Sequence, residues 1–190
     1  MPADIGDTAC PDDLLSSAAA IASQSTTRGL KNVDRLIGRY PSDARLHFLR
    51  GSLLAGLQRY DEAREAMHGA ITISPGFALA RFQLGFLEFT SGDAQTASAT
   101  WGALKSQPEN SPLLAFVCGL EALAEDRFDD AVALLTDGIS KNTTLDPLNA
   151  DMQLIIDAVR RDHPSEGRSE EAVSATHLLL QQYGRNVKPN

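Results

Sequence analysis

Apolar residues recur at helical spacing through the middle of the chain and predict pairs of helices. From residue 44 onward, one helical side carries Leu46, Leu49, Leu53 and Leu57. Ser111 and Pro112 mark the start of a later helix, because serine is a favoured N-cap and proline is tolerated at the first helical position. This pattern predicts a chain built from helices, with no convincing strand.

Two residue types recur with one common period. The glycines are Gly51, Gly85 and Gly119, and the alanines at the same interval are Ala63, Ala97 and Ala131. A glycine inside a helix costs about 1 kcal/mol relative to alanine, so a repeated one indicates a place where two helices cross closely. The period predicts three helix-turn-helix units, at about 44–77, 78–111 and 112–145.

The flanking segments read as altered or additional helices. Residues 1–9 are predicted to be a flexible amino terminus, 10–43 a degenerate copy of the repeat, and 146–161 a helix that caps the stack. A polar linker is expected at 162–169, followed by an amphipathic helix and tail at 170–190. The apolar side of that last helix needs a cover: the end of the stack, which we favour, the chain's own groove, or a second molecule.

The repeated residues resemble the tetratricopeptide repeat, a 34-residue pair of helices with a small residue in the first helix and alanine in the second. The resemblance is clear over 44–145 and weak over 10–43. It is carried by the glycines and alanines above, by Pro41 and Pro75 between units, and by the bulky set Met67, Trp101 and Leu135. It implies an all-α, right-handed solenoid whose concave face is formed by the first helix of each unit.

The residues that map to this implied concave face are mostly apolar. Phe48, Phe82 and Phe116 again follow the repeat period, one in each unit. Such a stripe is either core, covered by the same chain, or a groove for a partner, and both alternatives stay open. The predicted partner-binding residues are Arg45, Phe48, Ser52, Phe82, Gln83, Phe86, Phe89, Phe116, Leu120 and Leu123.

The same face lacks the basic residues with which many family members bind a terminal carboxylate, since Arg45 is its one basic residue. An apolar groove suits an apolar or amphipathic segment of a partner protein. The predicted function is therefore a protein–protein adaptor or chaperone. The alternative is a scaffold or assembly subunit whose groove is filled by its own last helix or a second copy. A narrower version resembles the small acidic secretion chaperones of bacteria.

Composition and charge narrow the class of partner. Apolar residues make up 43% of the chain, the formal net charge is −8 and the pI is near 4.9. An acidic chain with no dense basic cluster is not expected to bind nucleic acid. No run of apolar residues is long enough to cross a membrane, and the acidic amino terminus lacks the features of a secretory signal. A cytoplasmic protein, monomeric or homodimeric, is expected, and the excess of arginine over lysine hints at a bacterial source.

No set of residues predicts catalysis, a metal site or a cofactor. The four histidines lack HxxxH and HExxH spacing, and the chain has no GxSxG, CxxC or phosphate-binding glycine loop. The carboxylate pairs Asp129–Asp130 and Glu170–Glu171 both begin predicted helices, where acidic side chains complement the helix dipole. Cys118 is expected to be a buried thiol. The sequence therefore predicts a protein that is not an enzyme.

Overall fold

The computed structural model describes residues 9–106, 108 and 111–163, and within these ranges the fold is all-α with no strand. The elements in chain order are α1 Asp12–Gln24, α2 Thr26–Ile37, α3 Ala44–Gly56, α4 Tyr60–Ile73, α5 Ala78–Thr90, α6 Ala94–Trp101, a 3-10 turn Gly102–Ser106, α7 Pro112–Ala124, α8 Phe128–Lys141 and α9 Asp146–Asp162. The contacts divide the chain into two compact units, Met1–Leu84 and Gly85–Asn190.

The turn inside each repeat has the same backbone geometry. Gln58, Gly92 and Asp126 have φ values of 61°, 90° and 57°, and each stands one repeat period after the previous one. This left-handed conformation ends the first helix and allows the next backbone N–H to reach back, as from Arg59 to the carbonyl of Leu54 at 2.9 Å. The repeat period is therefore visible in the backbone as well as in the side chains.

In the first unit, α1 packs on α2, α2 on α3 and α3 on α4. A Cβ atom placed on Gly51 would lie 2.6 Å from Met67 Cγ and 3.1 Å from the carbonyl oxygen of Ala63. In the degenerate first pair, a Cβ on Gly29 would lie 2.5 Å from Ala22 Cα. Both glycines thus stand where two helices approach closely, which confirms the packing role expected for Gly51.

In the second unit, α7 packs on α8 and α8 on α9. A Cβ on Gly119 would lie 2.7 Å from Leu135 Cδ2, so the glycine and the bulky residue of this repeat meet as they do in the first unit. The predicted capping helix is α9, and its buried side is Leu148, Met152, Ile155, Ile156 and Val159. These five residues recur at helical spacing and lie on one side of the helix.

The middle repeat departs from its neighbours in its second helix. α6 has 8 residues, whereas α4 and α8 each have 14. After Trp101 the backbone changes to 3-10 geometry, and Leu104 is buried there at the position held by Ala70 and Gly138 in the flanking repeats. A large side chain thus occupies a position where the other two repeats have small ones.

Some expectations are refined or lie beyond the described residues. Ser111 is the N-cap of α7, as expected, but makes no side-chain capping hydrogen bond. The amphipathic helix expected after residue 170 lies outside the described residues, as does most of the expected linker and of the flexible amino terminus.

Candidate protein-interaction face

The predicted face begins at Phe48, on α3. This side chain is half-buried and its ring centroid lies 5.1 Å from that of Phe77, tilted by 53°. Both rings pack against a small cluster of buried alanines, Ala44, Ala70 and Ala80. Phe48 therefore contributes to packing inside the first unit while part of its surface stays accessible.

Phe116 is the equivalent residue on α7 and is fully buried. A Cβ atom on Gly138 would lie 2.5 Å from Phe116 Cε1, so the phenylalanine ring covers Gly138 of α8. Gly138 stands two repeat periods after Ala70, which packs near Phe48. In both units a phenylalanine of the first helix thus packs over a small residue of the second helix.

All of the other predicted apolar residues are also buried. They are Phe82, Phe86, Phe89, Leu120 and Leu123. Within the second unit, the centroid of the Phe89 ring lies 5.8 Å from that of the Trp101 ring. These side chains do not form an open surface in this structure, which agrees with the interpretation of the stripe as core.

The predicted basic residue, Arg45, is engaged inside the first unit. Its guanidinium donates to Asp43 through Nη2 at 2.7 Å and Nε at 3.0 Å, to Asp12 at 2.6 Å, and to the carbonyl of Cys10 at 2.7 Å. These hydrogen bonds of Arg45 therefore connect the start of α1 to the start of α3. A role in partner binding stays a prediction.

Asp43 is the buried partner of this arginine and the N-cap of α3. Its carboxylate accepts from the backbone N–H of Cys10 at 2.7 Å and of Arg45 at 2.9 Å. Burial alone raises the pKa of Asp43, but the hydrogen bonds from Arg45 and Cys10 outweigh it and hold the pKa below its ordinary value. Burial, followed by the nearby Asp43 charge, raises the pKa of the Cys10 thiol.

The two polar members of the face, Ser52 and Gln83, are half-buried. Ser52 Oγ donates to the carbonyl of Phe48 at 3.1 Å, so this hydroxyl is satisfied within its own helix. Together with Phe48 and Arg45 they are the members of the predicted set with accessible surface.

Two clefts have linings that the sequence analysis did not single out. In the second unit, a cleft of about 320 Å³ lies between α6 and α7. Glu121 Oε1 accepts from Ser98 Oγ at 2.5 Å and from Lys105 Nζ at 2.9 Å, so its carboxylate is already paired. No spacing rule relates these three residues, because they come from different helical turns and carry no repeat period.

The second cleft belongs to the first unit and has a volume of about 450 Å³. Arg50 Nε donates to Asp34 at 2.9 Å, and His47 Nε2 lies 2.8 Å from the carbonyl oxygen of Pro41. These polar side chains are therefore already hydrogen-bonded within the first unit. Among the residues that the structure describes, no three His, Cys, Asp or Glu side chains are grouped so that they could hold a metal ion.

The remaining sequence expectations concern Cys118 and membranes. Cys118 is half-buried, less enclosed than expected, and burial raises the pKa of its thiol. In the described part of the chain, no helix combines the length and apolar character that crossing a bilayer requires.

Comparison with known proteins points to one repeat family. The sequence model of the tetratricopeptide repeat matches residues 18–78, which include α2, α3 and α4. No curated protein matches the sequence. Among solved structures, one titled "MamA RS-1 ArsTM double mutant" has a TM-score of 0.59 over 92% of this chain and 96% of the other, with 11% sequence identity. That likeness shows a shared fold over most of the chain, and the family match identifies residues 18–78 as tetratricopeptide repeat sequence.

Proposed function

We propose that the chain is a protein–protein interaction adaptor that takes up an apolar or amphipathic segment of a partner along its first helices. Tetratricopeptide domains generally bind proteins. The observation that carries the proposal is the series Phe48, Phe82 and Phe116, which places one aromatic residue at the same position of each first helix. Apolar side chains of this kind suit an extended or helical segment of a partner.

Contact with the partner begins in this proposal at the half-buried residues Phe48, Ser52 and Gln83, because they retain accessible surface. The buried phenylalanines can contribute only after whatever covers them is displaced. Because these rings are already buried, exchanging one apolar cover for another brings no net gain. In this proposal the affinity therefore comes from the partner's own apolar surface and from the accessible part of Phe48.

A second function, a scaffold or assembly subunit with a filled groove, is favoured by the burial of Phe82, Phe86, Phe116 and Leu120. In that case the aromatic stripe is permanent core and no partner reaches it. The two functions differ in whether the first helices bind a different protein or are covered by this chain or a second copy of it.

Neither proposal involves catalysis. Tetratricopeptide folds typically serve as non-enzymatic scaffolds, and we propose that this chain is not an enzyme. A chaperone role, a cytoplasmic location and a bacterial source stay predictions.

The direct test is site-specific photo-crosslinking with the full chain in its native cell. A photo-reactive phenylalanine analogue replaces Ser52 or Gln83 on the first helices. Matched controls carry it at Thr72 on α4 or Thr136 on α8, both exposed on second helices.

An adaptor predicts crosslinks to one recurring partner protein from Ser52 and Gln83 and not from the controls. Crosslinks confined to this chain, or to a second copy, would support the scaffold instead. Equal capture of many proteins from all four positions would contradict both specific functions.

A further inference from the structure

The outer side of α2 carries a row of basic residues that continues just past its end. Arg28, Lys31, Arg35 and Arg39 follow one another at intervals of three or four positions, and all four are exposed. None of them makes an ion pair with a described residue. The row, here called the basic stripe, is about 16 Å long at about 1.5 Å per residue.

Two of the four equivalent positions in the last repeat carry the opposite charge. Asp130 and Asp137 on α8 stand three repeat periods after Arg28 and Arg35, and both are exposed, whereas Ala133 stands at the position of Lys31 and Lys141 at that of Arg39. Asp126, in the turn that precedes α8, is exposed as well. These three carboxylates are here called the acidic stripe.

The net charge of the chain is also distributed unequally between the two units. Residues Met1–Leu84 contain nine acidic and nine basic side chains, so the net charge of −8 lies entirely in Gly85–Asn190. The described residues of this second unit include twelve acidic side chains and five basic ones. The acidic stripe thus belongs to a strongly acidic unit, and the basic stripe to a neutral one.

We propose that the basic stripe of one molecule binds the acidic stripe of a second copy of this chain. Because two different surfaces meet, the contact is heterologous, and each pair of molecules keeps one free stripe of each sign. Association of this kind continues into larger assemblies or closes into a ring.

Two ion pairs at α8 compete with this contact for the aspartates of the acidic stripe. Arg127 Nη1 lies 2.7 Å from Asp130 and Lys141 Nζ 2.6 Å from Asp137. Exposed pairs such as these contribute little, and the carboxylates can exchange them for partners on α2. Exposed charges are screened beyond about 10 Å at 0.1 M salt, so the association is weak at physiological salt and strengthens as salt is removed.

The test is the mass of the full chain in solution, measured by sedimentation at about 0.01 M and about 0.3 M salt over a range of protein concentrations. One variant reverses the basic stripe, Arg28→Glu/Arg35→Glu, and a second reverses the acidic stripe, Asp130→Arg/Asp137→Arg. A control with the same charge change as the first is Arg160→Glu/Arg161→Glu, at the end of α9.

We expect the wild type and the control to gain mass with concentration at low salt, and each stripe variant alone to stay monomeric. Mixing the two stripe variants should restore the gain, because each then meets a complementary surface. A wild type that is monomeric at every salt concentration, or variants that associate as the wild type does, would overturn the proposal. If a reversal lowers the thermal midpoint, Arg28→Gln/Arg35→Gln replaces it with the same expectation. The stripes are separate from the first-helix face, so this result is independent of the partner crosslinks.

Discussion

Gly85 lies directly against the indole of Trp101. A Cβ atom on Gly85 would stand 2.6 Å from Trp101 Cδ1 and 2.6 Å from Cε2, well inside van der Waals contact. The indole is fully buried and rigid, so it has little room to move. The glycine in the middle repeat is therefore required by packing.

Gly85→Ala should lower the free energy of unfolding by about 1–3 kcal/mol, because the added methyl overpacks the crossing of α5 and α6. The measurement is a urea denaturation curve. Gly56→Ala is the matched control, since nothing lies within 4 Å of a Cβ at that position. Gly51→Ala should also lower the free energy of unfolding, because the added methyl would meet Met67 Cγ and the carbonyl oxygen of Ala63. Equal midpoints for the wild type and Gly85→Ala would refute the packing explanation.

The left-handed turn residues give a stabilising substitution. Gln58→Gly should raise the unfolding free energy by up to about 1 kcal/mol, since glycine adopts a φ of 61° without the steric cost that glutamine has. The reverse change, Gly92→Ala, should destabilise the middle turn by a similar amount. Thermal midpoints of the two variants that move in the same direction would contradict this account of the turns.

Asp43→Asn tests the attachment of α1 to α3. Loss of the charge-assisted hydrogen bonds from Arg45 and Cys10 should cost about 1–2 kcal/mol; Arg45 is 38% exposed, and water replaces part of its bonding. Asp12→Asn serves as the control, because Asp12 is 89% exposed and its pair with Arg45 should contribute little. An equal loss of unfolding free energy in both variants would show that the buried Asp43 carboxylate contributes no more than the exposed Asp12 does.

The same carboxylate predicts an acid-sensitive contribution to stability. The pKa of Asp43 is lower in the folded chain than its ordinary value of 3.8, so its stabilisation is present above that pH and is lost as the pH falls through the folded value. The difference in unfolding free energy between wild type and Asp43→Asn should hold from about pH 7 to pH 5 and shrink below 3.8. A difference that already disappears at neutral pH would assign the effect to another group.

The repeat period was sufficient to predict the helix pairs and the close helix crossing at the repeated glycines. These features depend on residues close in sequence that recur in every copy. The period did not predict that the bulky residues Met67, Trp101 and Leu135 lie against these glycines. The turn conformation has a sequence signal at Gly92 and a weaker one at Asp126, because glycine and, to a lesser degree, aspartate tolerate a positive φ, whereas Gln58 carries no such signal.

The candidate site was harder to predict, since it depends on what covers each side chain. Phe116 has the spacing of a groove residue, yet its ring is used to cover Gly138. Arg45 has the position of a partner-binding cation, yet its guanidinium is hydrogen-bonded to Asp43 and Cys10. Both of these residues precede the clear repeats. Sequence spacing places a residue on a helix face and does not reveal its tertiary neighbours.

We propose that the phenylalanines repeated along the first helices are packing residues in the protein without a partner, and that a partner reaches them only after their cover is displaced. Titration of the native full chain with an apolar fluorescent dye, such as anilinonaphthalene sulfonate, tests this most directly. The account predicts little fluorescence under native conditions, because Phe82, Phe86 and Phe116 are buried. Strong, saturable dye fluorescence from the fully folded protein would show an open aromatic groove and contradict it.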